Sequence, residues 1–340
     1  MPSKPQEGGA GARGMCRDNE HTDSAPPATP HLAVGSYKIV FQAPQGAHFP
    51  EYAGSAWRGA LGHALKRALC ITHAPVCKTC LLYHACGYAY VFETPPPVHA
   101  GKMRRYDAVP HPFLLNVVED QHVAPGDTYP VGLTLVGRAN AHLGYLIHAL
   151  AEAGRRGVGT GRQPLILEYV AQKTSAECDT TIYAAGGTLE AHAPSEWPCP
   201  PVPSRVRVLF ETPLRLRRQE TYLGPTTLGF ADLFGALLRR ISMLTYFHSD
   251  TPLVTDFAGL ARAAEGIGFS KTELVWQDWT RYSSRQKTLL EMGGVIGSAD
   301  LVGQDILPFW PYLWLGQWVH AGKGTSMGLG RYRLENAASL

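Results

Sequence analysis

Three groups of residues in this 340-residue chain have types and spacings that can do chemistry. The first is a segment near the C-terminus, Gly316-Gln317-Trp318-Val319-His320-Ala321-Gly322-Lys323-Gly324-Thr325-Ser326-Met327-Gly328-Leu329-Gly330-Arg331-Tyr332. It holds five glycines, two cations (Lys323 and Arg331) and the hydroxyls of Thr325 and Ser326. Glycines let backbone N–H groups approach an anion such as phosphate closely, and the cations can neutralise it. It is not a Walker A loop, in which Gly-Lys-Ser/Thr opens a helix after a strand. Here the flanking patterns read helix, loop, strand. On spacing alone, a turn whose glycines serve only packing explains the segment equally well.

The second group is Cys70-x6-Cys77-x2-Cys80-x5-Cys86, four thiols within 17 residues. A Cys-x2-Cys knuckle is half of many zinc sites, and four thiolates suit a closed tetrahedral ion. His73 or His84 can replace one ligand. Four protein ligands leave no open position, so the ion expected here is a structural zinc, with no catalytic metal. The alternative is a set of reduced, partly buried thiols. Cys16, Cys178 and Cys199 have no partner at ligand spacing and read as plain thiols.

The third group is cationic. The stretch Tyr52 to Leu69 has helical period, with Trp57, Ala60, Leu61, Ala64, Leu65 and Ala68 on one face and Arg58, His63, Lys66 and Arg67 on the other. His48 and Tyr52 stand at its entry. His320 stands at the mouth of the glycine segment, where it can also cap the preceding helix. Arg215, Arg217 and Arg218 crowd one strand-like stretch, while Lys102, Arg104 and Arg105, and Arg155, Arg156 and Arg162, crowd loops. Such groups are most often solvated surface; on a nucleic-acid-binding fold they would form a phosphate track.

The elements that must carry these residues form two series. Residues 1–31 are rich in Gly, Pro and charge without apolar period and are expected to be a disordered tail. A strand at Tyr37–Phe41, the helix at 52–69, extended stretches at 113–118 and 128–136, a helix at 141–153 and a strand at 165–171 follow. Ala191 to Pro203 contains five prolines and reads as a linker. The second series has an alternating strand at 205–210, and a strong amphipathic helix carrying Phe230, Leu233, Phe234, Leu237, Leu238, Ile241 and Leu244. Strand-like stretches at 274–283 and 289–301, a helix at 307–320 and a strand at 329–334 complete it. Strand–helix–strand–strand–helix–strand is the ferredoxin-like order. The expected fold is therefore α+β, two tandem ferredoxin-like (RRM-like) domains at 32–190 and 204–340, with linker 191–203, a Cys-rich insertion at 70–90 and a C-terminal glycine-rich loop.

Hydrophobic residues at 45% and charged residues at 17% exclude a wholly disordered chain, and a net charge of +3 permits a polyanionic partner without demanding one. No stretch has the length of a membrane span: the most apolar, Leu307 to Val319, is broken by Pro308, Pro311 and Gly316. A cytoplasmic protein without membrane contact is expected, and its cysteines are then thiols or metal ligands rather than disulfides.

The glycine segment resembles the signature loop of the RAMP superfamily, the RNA-binding proteins of CRISPR systems. It is similar to the C-terminal motif of the family that processes precursor CRISPR RNA. Trp279-Thr280-Arg281-Tyr282-Ser283-Ser284-Arg285-Gln286, followed by Met292-Gly293-Gly294-Val295-Ile296-Gly297, resembles that family's penultimate hairpin, and Leu228 to His248 occupies the place of its helix. The match runs from Arg205 to Leu334. Trp57-Arg58-Gly59-Ala60-Leu61-Gly62-His63 and the cysteines resemble one branch of the family. The resemblance implies a metal-independent endoribonuclease that binds a CRISPR repeat stem–loop and cuts precursor crRNA by 2′-OH attack, leaving 2′,3′-cyclic phosphate and 5′-OH ends. Its partners would be the repeat RNA or crRNA and other Cas effector subunits. A non-cutting RAMP subunit that holds guide RNA in an effector complex shares the same loop and is the alternative.

That reaction needs a base, an acid and a phosphate-stabilising cation, and histidine suits the proton transfers. His63 lies near where the resemblance places a catalytic histidine and is the first candidate. His48, Tyr52 and His320 follow, and Arg58 or Lys323 can be primary because some members of the family work with arginine or lysine. The implied RNA-binding set is Gly322, Lys323, Gly324, Thr325, Ser326, Gly328, Gly330 and Arg331, with Arg215, Arg217 and Arg218.

Overall fold

The computed structural model describes residues 29–49, 53–97, 109–117, 121–278, 280–283 and 288–337. In the first half, strands β1 (Val34–Gln42), β2 (Phe113–Val117), β3 (Thr128–Val136), β4 (Ile166–Lys173) and β5 (Asp179–Ala184) form one antiparallel sheet in the order β2-β3-β1-β4-β5. Helices α1 (Ala53–Leu69) and α2 (Leu143–Arg155) follow β1 and β3. In the second half, β6 (Arg205–Leu214), β7 (Lys271–Gln277), β8 (Gly294–Val302) and β9 (Tyr332–Asn336) form a sheet in the order β7-β8-β6-β9. Helix α3 (Phe230–His248) follows β6, and α5 (Trp310–Val319) lies between β8 and β9. In each sheet the first and third strands of the βαββαβ series are central, which is the ferredoxin-like arrangement.

Period-two alternation explains how the halves join. Tyr37, Ile39 and Phe41 on β1 and Val131, Leu133 and Leu135 on β3 face the helices, packing with Trp57, Leu61, Leu65, Leu146 and Leu150. Val34, Leu114 and Val136 fall on the opposite face. They are buried in the core of the second half with Val206, Leu237 and Leu313. One half thus lends part of its sheet to the other's core.

The segment 191–203 is a strap rather than a free linker. Val34 N–H donates to Ser195 O at 2.9 Å. Gln172 both donates to and accepts from the His192 backbone. Trp197 stacks on Trp318 with ring centroids 5.3 Å apart, and Trp310 Nε1 donates to Pro200 O at 2.6 Å.

Several expected elements differ in detail. The stretches 274–283 and 289–301 are each divided: 271–277 pairs with 294–302 in the sheet, while 280–283 pairs with 288–291 as a separate ribbon. The break falls where Asp278 turns back to accept from Trp276 Nε1 at 2.6 Å and where a side chain at Gly293 would strike both residues. A short helix, α4 (Phe257–Glu265), was not expected. Asp256 caps it, its carboxylate accepting from Gly259 N–H at 2.8 Å. Strand β5 was also missed, and the last strand starts at Tyr332 rather than Leu329 because Gly328 and Gly330 hold positive φ. Of the expected tail, residues 1–28 lie outside the described residues, whereas Leu32 is buried. Among the described residues no helix is long and apolar enough to cross a membrane.

Candidate nucleic-acid interface

The glycine loop is closed at its base by two contacts. Ala321 N–H donates to Gly330 O at 3.0 Å, and His320 Nδ1 donates to Leu329 O at 3.2 Å. His320 is buried at the C-terminus of α5 and its imidazole pKa is pushed down to about 3, first by burial and then by Arg331 and Arg240. It is a neutral staple of the loop and is not open to solvent. Arg240, on α3, donates Nε to Val319 O at 2.6 Å, and its Nη2 is buried without an acceptor. Burial lowers its pKa to about 10, so the guanidinium keeps its charge at neutral pH. A fixed cation therefore lies beneath the loop.

The loop glycines are explained by close backbone approach. Gly328 has φ +94 and a side chain there would meet the Leu115 carbonyl of β2 at 2.7 Å. Gly330 has φ +67 and would strike Ala321 O at 1.8 Å. Gly322 sits against Arg215 O and Gly324 against Leu329. Thr325 and Ser326 are buried, and Lys323 is the one exposed residue between Ala321 and Arg331.

Helix α1 meets this loop along one face. Gly54 lies under Met327 O, and Arg58, four residues later, donates Nε to Ser326 Oγ at 3.0 Å. Arg58 also donates Nη2 to His111 Nε2 at 3.1 Å, and its guanidinium lies 4.5 Å from the Phe92 ring centroid. Since arginine can only donate, His111 accepts through Nε2 and carries its proton on Nδ1, which donates to Thr94 Oγ1 at 2.6 Å. Thr94 in turn donates to Val91 O. Burial, then Arg58, Arg240 and His248, push the His111 pKa down to about 3. A neutral, oriented histidine thus aims Arg58 at the loop.

A second histidine braces the same segment. His248 Nε2 donates to Pro110 O at 2.9 Å and its Nδ1 accepts from Tyr90 OH at 3.1 Å. Burial is the main reason its pKa falls to about 4.

His63 lies elsewhere. At 3.6 residues per turn, nine positions after Gly54 is about half a turn round the helix. His63 is exposed on the face of α1 opposite the loop. His48 is half-buried in a ribbon of Ala47–Phe49 with Gln121–Val123; it stacks on His122 with centroids 3.9 Å apart, and its Nδ1 is buried without a partner. Tyr52 lies outside the described residues, as do Lys102, Arg104 and Arg105.

The other cations divide. Arg331 Nε approaches Glu211 Oε2 to 2.8 Å, too bent for a hydrogen bond but a close ion pair, and Arg333 shares that carboxylate. Arg218 is paired with Asp232 at the start of α3, its Nε donating at 3.0 Å. Arg215, Arg217 and Lys323 instead gather round Tyr222, with cationic centres 4.6, 4.3 and 5.9 Å from the ring centroid. Arg215 Nη2 donates to the Tyr222 phenol at 2.8 Å, and Arg217 also reaches Glu220. Burial raises the phenol's pKa, but the Arg215 bond and the three positive charges outweigh it and hold the phenol below the ordinary tyrosine range. Tyr222, His111 and Arg240 are not marked by any sequence pattern; the basic–apolar alternation of Leu214-Arg215-Leu216-Arg217 points only to the neighbouring arginines. Beside the loop a cleft of about 300 Å³ opens between the halves, lined by Asn116, Gly132, Glu211, Thr212 and Arg331.

A family model described as CRISPR-associated endoribonuclease Cas6 matches residues 208–332, and one described as an N-terminal domain matches residues 32–194. No curated protein matches the chain. Among solved structures, a Cas6 product complex is similar at 16% identity and TM-score 0.56, over 89% of this chain and 99% of that one. A Thermus thermophilus Cas6 is similar at 16% identity and TM-score 0.50, over 89% and 99%. A partial Cas6-RT-Cas1–Cas2 complex is similar at 15% identity and TM-score 0.51, over 90% of this chain and 46% of that one. At these identities the likeness is one of fold, and it is tandem ferredoxin-like.

Proposed function

From the match of residues 208–332 to the CRISPR-associated endoribonuclease Cas6 family model, we propose that this chain is a member of that family, binds the stem–loop of a CRISPR repeat transcript and cuts it without metal. The ribose 2′-hydroxyl loses its proton to a base, its oxygen bonds to the adjacent phosphorus, and the bond from phosphorus to the 5′-oxygen breaks as that oxygen takes up a proton. The products are a 2′,3′-cyclic phosphate and a 5′-hydroxyl.

The observation that carries this reading is the tie between Arg58 of α1 and Ser326 of the glycine loop. It holds one constantly charged group at the junction of the two halves, beside a loop whose rim bears exposed Lys323. Arg58 and Lys323 are assigned to the phosphate oxygens, where crowding of negative charge is greatest during the attack. Tyr222, with Arg215 and Arg217, is assigned to the RNA strand leading to that point, where an aromatic face among cations can take a base and its phosphate. His48, with its unpartnered Nδ1, is assigned to proton transfer. Arg218 and Arg331, already paired with carboxylates, are assigned to holding the loop and α3 in place. The similar solved structures include a Cas6 product complex and a Cas6-RT-Cas1–Cas2 complex; a crRNA partner and further Cas subunits are proposed here on that likeness.

The test is single-turnover cleavage of labelled repeat RNA in EDTA. The expected result is a product with a 2′,3′-cyclic phosphate end. RNA that is bound but left intact would make this a guide-holding subunit instead, and RNA that is not bound at low salt would remove the nucleic-acid reading.

A further inference from the structure

Between Cys70 and Gly87, directly after α1, not one residue is buried. The segment has no hydrophobic interior. Ile71 is exposed at 77% and Leu81 at 88%, and Leu82 and Tyr83 are only half-buried. It nevertheless follows a defined path, with turns closed by Cys80 N–H to Cys77 O at 3.0 Å, Tyr83 N–H to Cys80 O at 2.9 Å and Cys86 N–H to Leu82 O at 2.8 Å. A segment this small that cannot build a core needs a covalent or metal staple.

What the segment encloses is a small cavity lined by sulfur together with apolar side chains such as Leu82 and Tyr83. Cys70, Cys77, Cys80 and Cys86 all line a single cavity, floored by Leu69 and Tyr88, of about 20 Å³. That is room for one water-sized sphere or one ion. The Cys77–Cys80 turn has the knuckle form: the Leu82 N–H, two residues on, donates to the Cys80 sulfur, and Thr72 Oγ1 lies 3.2 Å from it. Donors aimed at sulfur favour the thiolate, the form that binds metal. Cys178 and Cys199 lie outside this cavity.

We propose that Cys70, Cys77, Cys80 and Cys86 bind one zinc ion as a tetrathiolate that staples the segment following α1. Among the described residues no three ligand side chains are set for a metal ion, so the thiols must turn inward about their χ1 bonds as the ion enters. Four thiols lose their protons to solvent and four zinc–sulfur bonds form. The site is independent of the RNA-cutting assignment.

The experiment measures zinc in the full-length protein by elemental analysis, and follows uptake by chelator-stripped protein with limited proteolysis. About one zinc per chain is expected, with chelation exposing the peptide bonds of 70–88 to cleavage and added zinc restoring protection. Cys80→Ser and Cys86→Ser should each lose the ion while Cys178→Ser keeps it. Cobalt substitution should give the absorption of a tetrahedral thiolate site. Substoichiometric zinc with all four thiols freely reactive in the native protein would overturn the proposal. So would disulfides among the four, iron in place of zinc, or a zinc content that the cysteine variants leave unchanged. Should those variants fail to fold, metal uptake by the stripped wild-type chain decides the matter alone.

Discussion

Arg58 is the residue on which the candidate site turns. It reaches Ser326 across 268 positions of sequence and is aimed by a histidine that cannot charge near neutral pH. Arg58→Ala should slow single-turnover cleavage by about 10²-fold or more, the scale seen when one preorganised donor to a developing charge is removed. His63→Ala should leave the rate unchanged, because His63 lies on the far side of α1; a large loss in that variant would show that the RNA approaches from the other face. The buried histidines make a second prediction. The pKa of His111 falls to about 3 and that of His248 to about 4, against 6.5 when unfolded. Both are neutral in the fold, and as pH drops below 6.5 the unfolded chain takes up protons that the fold resists. Stability should therefore fall as pH is lowered from 6.5 toward 4, by about 2 kcal/mol per histidine at pH 5. His111→Gln and His248→Gln should each flatten that fall in urea titrations across the range. Neither histidine was legible in the sequence. Each owes its role to partners far along the chain: His111 to Arg58, and His248 to Pro110 and Tyr90.

At the scale of elements, the glycine loop and α1 act as a fitted pair. A methyl group at Gly54 would lie 2.1 Å from Met327 O. The helix cannot sit where it does with any side chain there. Gly54→Ala should cost about 1–3 kcal/mol in thermal or urea unfolding, as overpacking does. It should also weaken RNA cleavage by moving Arg58 away from Ser326; an unaltered rate would disconnect the helix from the site. Elements with long, clean period, such as 34–42 and 230–248, could be read directly from the sequence. Those that could not are short or interrupted. Helix α4 covers nine residues and begins at an Asp cap. The strands near Asp278 and Gly293 change partners in mid-run because one carboxylate turns back to one indole, a contact that alternation does not encode. The glycines announced a loop, but only the structure shows that they answer to Leu115, Ala321 and Arg215 as neighbours.

For the whole molecule, the arrangement of charge matters more than its modest net value. Arg218 and Arg331 are neutralised by Asp232 and Glu211, while Lys323 and Arg217 flank Tyr222 at the loop rim. The logarithm of RNA affinity should fall linearly with that of salt concentration, and Lys323→Ala should reduce the slope by about one. Arg218→Ala should lower thermal stability and leave the slope as it was. Equal slopes for wild type and Lys323→Ala would move the backbone contact away from the loop.

The proline-rich strap has a consequence of its own. Tied to Val34 and Gln172 at one end and to Trp318 and Trp310 at the other, it denies the two halves the slack to hinge apart. On the proposed function, a repeat transcript would have to fit a mould of set dimensions. A repeat lengthened by one nucleotide between its stem and the scissile bond would present the wrong phosphate to Arg58, and precision of cleavage would follow from a ruler built into the protein rather than from recognition of each base.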